Sequence, residues 1–208
     1  MRFGFVHSVE GSGFARLERD HAHLLDAPPW LGGRETGEVR PWTDSELRCP
    51  VRPSKIVCVG RNYAAHAREM NHPLPSEPLL FLKPPSALAG PGDNVILPTE
   101  SERVEHEAEL AVVIGSSCRK VTPERALSHV FGYSCACDVT ARDLQRKDVQ
   151  FTRAKGFDTF CPIGPWIETT LDPMAVHIRC SVNAETRQEW REIRDGSRLC
   201  LNKGVRPL

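Results

Sequence analysis

Apolar and polar positions alternate at the start of the chain, and this pattern predicts a β-hairpin. Phe3 and Phe5 alternate with polar residues, the turn sequence Gly11-Ser12-Gly13 follows, and residues 14–17 can return as a second strand. Residues 27–51 are rich in proline and glycine and show little apolar periodicity, so we expect a connector there. The sequence therefore predicts a small N-terminal β domain with its linker over residues 1–50.

Short apolar runs bounded by turn residues predict further strands. They cover residues 55–60, 79–82, 95–97, 107–115, 131–139, 166–167 and 177–182. The first run is β-branched and ends in glycine, so we expect a buried strand. Residues 62–70 and 123–129 predict short helices, and residues 161–165 a turn-rich segment. Many short strands with few helices favour an α+β architecture that is mostly β.

The composition is that of a globular protein without a strong electrostatic field. The 208 residues are 40% hydrophobic and 26% charged, and 27 Lys and Arg balance 27 Asp and Glu. Basic residues do not cluster with aromatic ones, and the chain has neither a dinucleotide fingerprint nor a P-loop, so we expect no nucleic-acid partner. No apolar run is long enough to span a bilayer or to form a secretory signal, so we expect no membrane partner and a cytoplasmic location.

The eight cysteines form no C-x-x-C pair and have no companion histidine at zinc spacing. We therefore expect free, buried thiols rather than a zinc site or a disulfide framework. Cys58, Cys135, Cys137 and Cys180 lie in apolar or β-like surroundings, where a thiol behaves as a small hydrophobic group.

Acidic residues at the start of the predicted strand 107–115 are the first candidates for chemistry. Glu105, Glu107 and Glu109 alternate, so on a continuous strand they share one face. Asp138 lies near the end of the predicted strand 131–139, on the face of that strand that carries its small residues. Carboxylates at this density either form a solvated acidic face or hold a hard cation, with Mg²⁺ the first candidate and Mn²⁺ or Ca²⁺ as alternatives.

Two further groups are candidates for catalysis. His66 and Glu69 lie three residues apart on the predicted helix, where the carboxylate can orient the imidazole as a base for water. A surface pair on an Ala-rich helix is the alternative. Lys155 precedes the turn-rich segment, and a surface lysine is the alternative for it.

Five ordered motifs together resemble the fumarylacetoacetate hydrolase family. They are Gly-Arg-Asn-Tyr-Ala-Ala-His at 60–66, Phe-Leu-Lys-Pro at 81–84, His-Glu-Ala-Glu-Leu at 106–110, Asp-Val-Thr-Ala-Arg-Asp-Leu-Gln at 138–145, and Ala-Lys at 154–155 with Cys-Pro at 161–162. The resemblance spans residues 51–188 and implies a mixed β-sandwich roll as the catalytic core. It also implies a homodimer, since the family usually forms dimers.

The resemblance assigns roles to individual residues. It implies metal ligands at Glu107, Glu109 and Asp138, a water-activating pair at His66 and Glu69, and substrate contacts at Gln145 and Lys155, with Lys155 also catalytic as the cation that steadies an enolate.

The family acts on pyruvate-containing oxo acids, including intermediates of aromatic catabolism. The activity that we expect is therefore Mg²⁺-dependent hydrolysis of a carbon–carbon bond in an acylpyruvate. The alternatives are an isomerase of the 2-hydroxyhepta-2,4-diene-1,7-dioate type, an oxaloacetate decarboxylase, or a catalytically silent chain.

After residue 188 the sequence departs from the family pattern. Residues 189–208 are strongly charged and show neither strand alternation nor a helical stripe. We expect a divergent tail there, so that the core over 51–188 lacks its C-terminal strands and the family's Gly-Thr-Pro-x-Gly loop.

Overall fold

The structure is a computed structural model that describes residues 1–60 and 77–191. The predicted helix 62–70, with His66 and Glu69, lies outside the described residues, as do residues 192–208 of the predicted tail. The strands are β1 (Arg2–Ser8), β2 (Gly11–Leu17), β3 (His21–Leu25), β4 (Glu35–Pro41), β5 (Leu47–Arg48), β6 (Ile56–Gly60), β7 (Leu79–Lys83), β8 (Leu88–Ala89), β9 (Val104–Glu105), β10 (Ala108–Ile114), β11 (Val130–Cys137), β12 (Thr140–Ala141), β13 (Cys161–Glu168), β14 (His177–Val182) and β15 (Glu185–Arg191). The α-helices are α1 (Pro123–Ala126), α2 (Arg142–Lys147) and α3 (Thr152–Lys155), and short 3-10 turns cover Pro29–Leu31, Asp44–Glu46, Pro85–Ala87 and Leu127–His129.

Within the described residues, one large sheet dominates and confirms the mostly β fold. Its strand order is β10-β11-β13-β1-β2-β3-β4, with β5 paired to β1 and β8 paired to β13. The pairs are antiparallel except for β8 with β13. The pairs β6–β7, β9–β12 and β14–β15 form separate two-stranded sheets.

The N-terminal hairpin is confirmed, but the predicted connector is wrong. β1 and β2 pair from Arg2 opposite Leu17 to Ser8 opposite Gly11. Residues 27–51 contain β4 and β5, which pair with β3 and β1. The apolar periodicity of β4 is weak because only Arg40 among its seven residues is buried, and this is the pattern of an edge strand.

The first strand of the chain and β13, which lie far apart in the sequence, share the large sheet. Arg2 and Phe3 of β1 pair with Glu168 and Ile167 of β13. Ile167 is buried in a core that also contains Cys49 and Ile163. The sheet is therefore continuous across the predicted domain boundary at residue 50.

Three expectations about the middle of the chain are wrong. β6 forms as predicted but is not a buried strand, since the exposed fraction of Val57 is 44%. Residues 95–97 form no strand, and Ile96 and Leu97 are exposed. Residues 161–165, predicted as turn-rich, are the first part of β13, because the close approach of β8 and β11 pairs their backbone despite two prolines.

The cysteines and the predicted tail also differ in part from expectation. The seven cysteines in the described residues are free, as predicted. Of these seven, only Cys49 and Cys161 are buried, whereas Cys135 is exposed. Residues 189–191 continue β15 and pair with β14, so the structural pattern persists past residue 188. None of the helices in the described ranges is long and apolar enough to cross a membrane.

Gly132 lets β11 and β13 approach closely. A Cβ atom at this position would lie 2.7 Å from the Glu168 carbonyl oxygen and 2.7 Å from Ile167 Cγ2. Contacts this short with backbone cannot be relieved by a side-chain rotation. Only glycine fits here without a shift of the backbone, at the point where the start of β11 meets the end of β13.

Candidate active site

Two chain segments run antiparallel at the end of β11 and hold the candidate acids together. The Asp138 amide donates to the Glu107 carbonyl at 2.8 Å, and Thr140 in β12 pairs with Glu105 in β9. The antiparallel register continues through residues 106–107, between β9 and β10, up to the pairing of Ala108 with Cys137, and Glu105 and Glu107 both accept from Arg142.

Lys155 is the centre of this cluster. Its ammonium nitrogen lies 2.5 Å from Asp138 Oδ2, 3.1 Å from Glu107 Oε2 and 2.8 Å from Thr140 Oγ1. The side chain is 3% exposed and its ammonium lies 4.9 Å from the centre of the Phe81 ring. Lys155 is therefore not a surface lysine. It is a buried cation between two carboxylates.

Arg142 connects Glu105 and Gln145 to the cluster around Lys155 through hydrogen bonds. Its guanidinium donates to Glu107 Oε1, to Glu105 Oε2 at 2.8 Å and to Gln145 Oε1 at 2.8 Å. Burial alone would raise the pKa of Glu107, but Lys155 and Arg142 outweigh it, and the pKa is lowered. The Arg142 hydrogen bond is the largest cause that lowers the pKa of Glu105. Both carboxylates are thus held in the ionised form that a cation site needs.

Lys83, at the end of β7, is the most deeply buried charge of the cluster. It is 1% exposed, and its ammonium donates to the carbonyl oxygens of Val139, Lys155 and Phe160 at 3.1, 2.6 and 2.8 Å. These three bonds use all three protons of the ammonium group. Asp138 Oδ1 lies 2.8 Å from Lys83 Nζ but accepts no hydrogen bond. Lys83 therefore balances the charge of Asp138 through an ion pair at this oxygen.

The structure brings together part of the predicted metal site. Glu107 and Asp138 converge on Lys155, whereas Glu109 lies two residues further along, opposite Ala136 in β11. Among the described residues, no three His, Cys, Asp or Glu side chains lie close enough to hold a metal ion. The chemistry of the pair still fits a hard divalent cation, because both donors are ionised carboxylates and Asp138 Oδ1 is a buried oxygen without a hydrogen bond. Glu109 remains a predicted third ligand.

Sequence reasoning assigned no role to Arg142 or Lys83. Arg142 lies four residues after Asp138, and a basic residue there is a recognisable partner for the predicted acids. Lys83 ends an apolar strand, a position that normally indicates a solvent-facing residue. The carbonyl groups that bind it lie 56 to 77 residues away along the chain, and the pattern of side chains in the sequence does not indicate them.

Two family models match the chain. The model described as fumarylacetoacetate (FAA) hydrolase C-terminal matches residues 55–192, and the model described as Rv2993c-like, N-terminal matches residues 1–50. Protein Rv2993c of Mycobacterium tuberculosis is 41% identical in an alignment of 205 positions that covers 92% of this chain and 76% of that protein.

Relatives with named activities also match. The mitochondrial oxaloacetate tautomerase FAHD2A of Bos taurus is 48% identical over 72% of this chain. The solved structure of 5-carboxymethyl-2-hydroxymuconate delta-isomerase from Mycobacterium smegmatis superposes with a TM-score of 0.86 at 40% identity, over 98% of this chain and 82% of that chain. Maleylpyruvate hydrolase from Sphingobium, solved with manganese(II) and pyruvate, has a TM-score of 0.67 at 29% identity, over 92% of this chain and 76% of that chain. The chain spans 50% to 65% of the length of the archaeal and bovine relatives it matches.

Proposed function

The chain belongs to the fumarylacetoacetate hydrolase family, and from that premise we propose that it is a metal-dependent enzyme that stabilises the enolate of a 2-oxo acid. Members of the family include isomerases, hydrolases and a tautomerase. Each of these reactions can pass through an enolate next to a carboxylate. We propose hydrolysis of an acylpyruvate, with release of pyruvate, as the reaction.

The burial of Lys155 between Glu107 and Asp138 is the observation that carries the proposal. A cation held in a buried site stabilises negative charge more strongly than one in water. The enolate oxygen and the carboxylate of a 2-oxo acid are the anionic groups that such a cation would receive. Lys155 can give up the Asp138 contact for a substrate because Lys83 stays beside Asp138 as a second, fixed cation.

Glu107, Glu109 and Asp138 are the residues that we propose to hold a divalent cation, with Mg²⁺ or Mn²⁺ as the candidates. Such a cation would supply Lewis-acid stabilisation of the developing negative charge. Gln145 is held by Arg142 in the same network, where its amide can orient a substrate. His66 and Glu69 remain the predicted base pair for water.

Isomerisation or tautomerisation is the second candidate, favoured by the names of two relatives. It shares the enolate and differs in that no water attacks the substrate. The two reactions are therefore separated by their products. An acylpyruvate hydrolase releases pyruvate, whereas a tautomerase interconverts the enol and keto forms of oxaloacetate without cleaving a bond between carbon atoms.

The test compares pyruvate release from acetylpyruvate with and without a chelator. We expect release that needs a divalent cation and that falls by about 100-fold or more in Glu107→Gln, since this removes one charge from the buried cluster. The matched control is Glu124→Gln on the exposed surface of α1, which should match the wild type. Pyruvate release that survives both the chelator and Glu107→Gln would refute the role of the cluster. Oxaloacetate tautomerisation without pyruvate release would instead establish the second candidate, and metal binding without turnover of any oxo acid tried would favour a silent chain.

We further propose that the protein acts in the cytoplasm as a homodimer, with residues 1–50 as an N-terminal domain whose strands join the sheet of the core. Sedimentation of the purified protein in an analytical ultracentrifuge measures its oligomeric state directly. A monomer at micromolar concentration would contradict it.

A further inference from the structure

A second cluster of charged residues lies in the N-terminal part of the sheet, away from Lys155 and its partners. It borders a cavity of about 270 Å³ beside the tip of the β1–β2 hairpin. Ser8 and Glu10 border the cavity from the hairpin, and Arg40, Trp42 and Glu46 border it from the end of β4 and the turn that follows. The candidate active site uses none of these residues.

Arg40 is a buried cation with no ionic partner among the residues that the structure describes. Its side chain points inward from the edge strand β4, and the residue is 6% exposed. The guanidinium donates to Ser8 Oγ at 3.0 Å and to the Gly11 carbonyl at 3.1 Å, which are both neutral acceptors, and Nε has no acceptor. No carboxylate in the described part of the chain lies within 4.0 Å of it, the distance of an ion pair. A buried charge is costly unless an opposite charge balances it, so the site is built to receive an anionic group.

Two carboxylates border the same cavity and limit what that ligand can be. Glu46 is held in place, since its Oε2 accepts from the Thr43 amide at 2.8 Å and from Thr43 Oγ1 at 3.2 Å. Glu10 lies at the exposed tip of the hairpin. Both would repel a ligand that carries only negative charge, and both would attract an ammonium group.

Trp42 provides an apolar wall in a fixed orientation. Its indole nitrogen donates to the Glu18 carbonyl at 3.0 Å, and its ring packs against the buried core of Val6 and Leu17. The cavity is slightly smaller than the ~300–1,000 Å³ of ordinary ligand pockets, so the occupant is a small metabolite.

We propose that this cavity binds a small zwitterion of the amino-acid type. Its carboxylate accepts from Arg40, its ammonium group faces Glu10 and Glu46, and its side chain packs on Trp42. This assigns a ligand site to the N-terminal strands and is independent of the oxo-acid chemistry proposed above.

The test uses three matched probes on the full chain: L-leucine, 4-methylpentanoate, which lacks the ammonium group, and 3-methylbutylamine, which lacks the carboxylate. Isothermal titration should give a dissociation constant for L-leucine about tenfold lower than for either single-charge probe. Arg40→Met should abolish L-leucine binding. Arg48→Met is the matched control, because Arg48 is half-buried, binds the Ser45 and Leu47 carbonyls, and should bind L-leucine as the wild type does.

Glu46→Gln tests the same site without disturbing the contacts of Arg40 with the hairpin. It should weaken L-leucine binding and leave 4-methylpentanoate binding equal or stronger. Equal L-leucine binding by the wild type and Arg40→Met would overturn the proposal. So would loss of binding in Asp138→Asn, which would move the ligand to the candidate active site. Absence of saturable L-leucine binding at up to about 50 mM would also overturn it.

Discussion

Replacing Lys83 with methionine should be among the most destabilising single changes in the described part of the protein. Methionine keeps an unbranched apolar stem of similar length, so the substitution mainly removes the ammonium group. Three buried carbonyl oxygens then lose a donor, although the Phe160 carbonyl keeps the Val139 amide, and Asp138 keeps only Lys155 as an ionic partner.

The expected size of the loss comes from two independent estimates. Removing one partner of a buried ion pair costs about 3–5 kcal/mol. A single orphaned buried acceptor costs about 1–3 kcal/mol, and the three carbonyls lie close enough to relax together rather than additively. We therefore expect the free energy of unfolding to fall by about 3–5 kcal/mol, a large part of the ~5–15 kcal/mol of an ordinary domain.

Urea denaturation followed by circular dichroism measures this loss. With a urea slope of about 2 kcal/mol per molar, the midpoint should move down by about 2 M. Lys147→Met is the matched control, since Lys147 is an exposed lysine at the end of α2 and should cost less than about 0.5 kcal/mol. Adding Asp138→Asn to Lys83→Met removes the under-compensated charge and should recover about 1 kcal/mol. A loss in Lys83→Met no larger than in Lys147→Met would refute the burial and bonding described for Lys83.

Three further predictions concern other parts of the molecule. Burial raises the pKa of the Cys58 thiol from 9.0 to about 12, so above pH 9 the unfolded chain ionises first and the free energy of unfolding should fall with pH. Cys58→Ala should flatten that fall in urea titrations taken below and above pH 9, and an unchanged slope would contradict the assignment. Gly132→Ala should cost about 1–3 kcal/mol by calorimetry because its Cβ would meet the backbone of β13, whereas Gly13→Ala, with open space around it, should be neutral within about 0.5 kcal/mol. Gln188→Leu should cost about 1 kcal/mol and speed hydrogen exchange of the Ala108 amide, which donates to the Gln188 side chain at 2.7 Å; unchanged exchange would disprove that bond.

The sequence predicts the elements whose pattern is local. The alternation of Phe3 and Phe5 and the apolar run of β10 correspond to strands in the structure, because one face of each packs on a core while the pattern repeats every two residues. β4 escapes prediction because it is an edge strand with a single buried residue, and that residue is an arginine. Residues 95–97 show the opposite error, since an apolar run without a neighbouring strand to pair with stays outside the sheet.

The candidate site also has a part that the sequence predicts and a part that it does not predict. Glu107, Asp138 and Lys155 belong to ordered motifs, so sequence alone brings them into one hypothesis. Their actual arrangement depends on the antiparallel register between residues 105–108 and 137–140 and on backbone carbonyls that bind Lys83, and neither has a side-chain signature. These long-range contacts of backbone atoms are the part of the site that cannot be predicted from a single sequence.

The central claim is that Glu107 and Asp138 form a cation site shared with Lys155. Titration of the full chain with Mn²⁺, followed by the electron paramagnetic resonance signal of the free ion, tests it without any substrate. We expect saturable binding of one Mn²⁺ per chain that weakens by at least about tenfold in Asp138→Asn and stays unchanged in Glu124→Gln. Equal Mn²⁺ affinity in the wild type and Asp138→Asn, or no saturable binding by the wild type, would contradict the account.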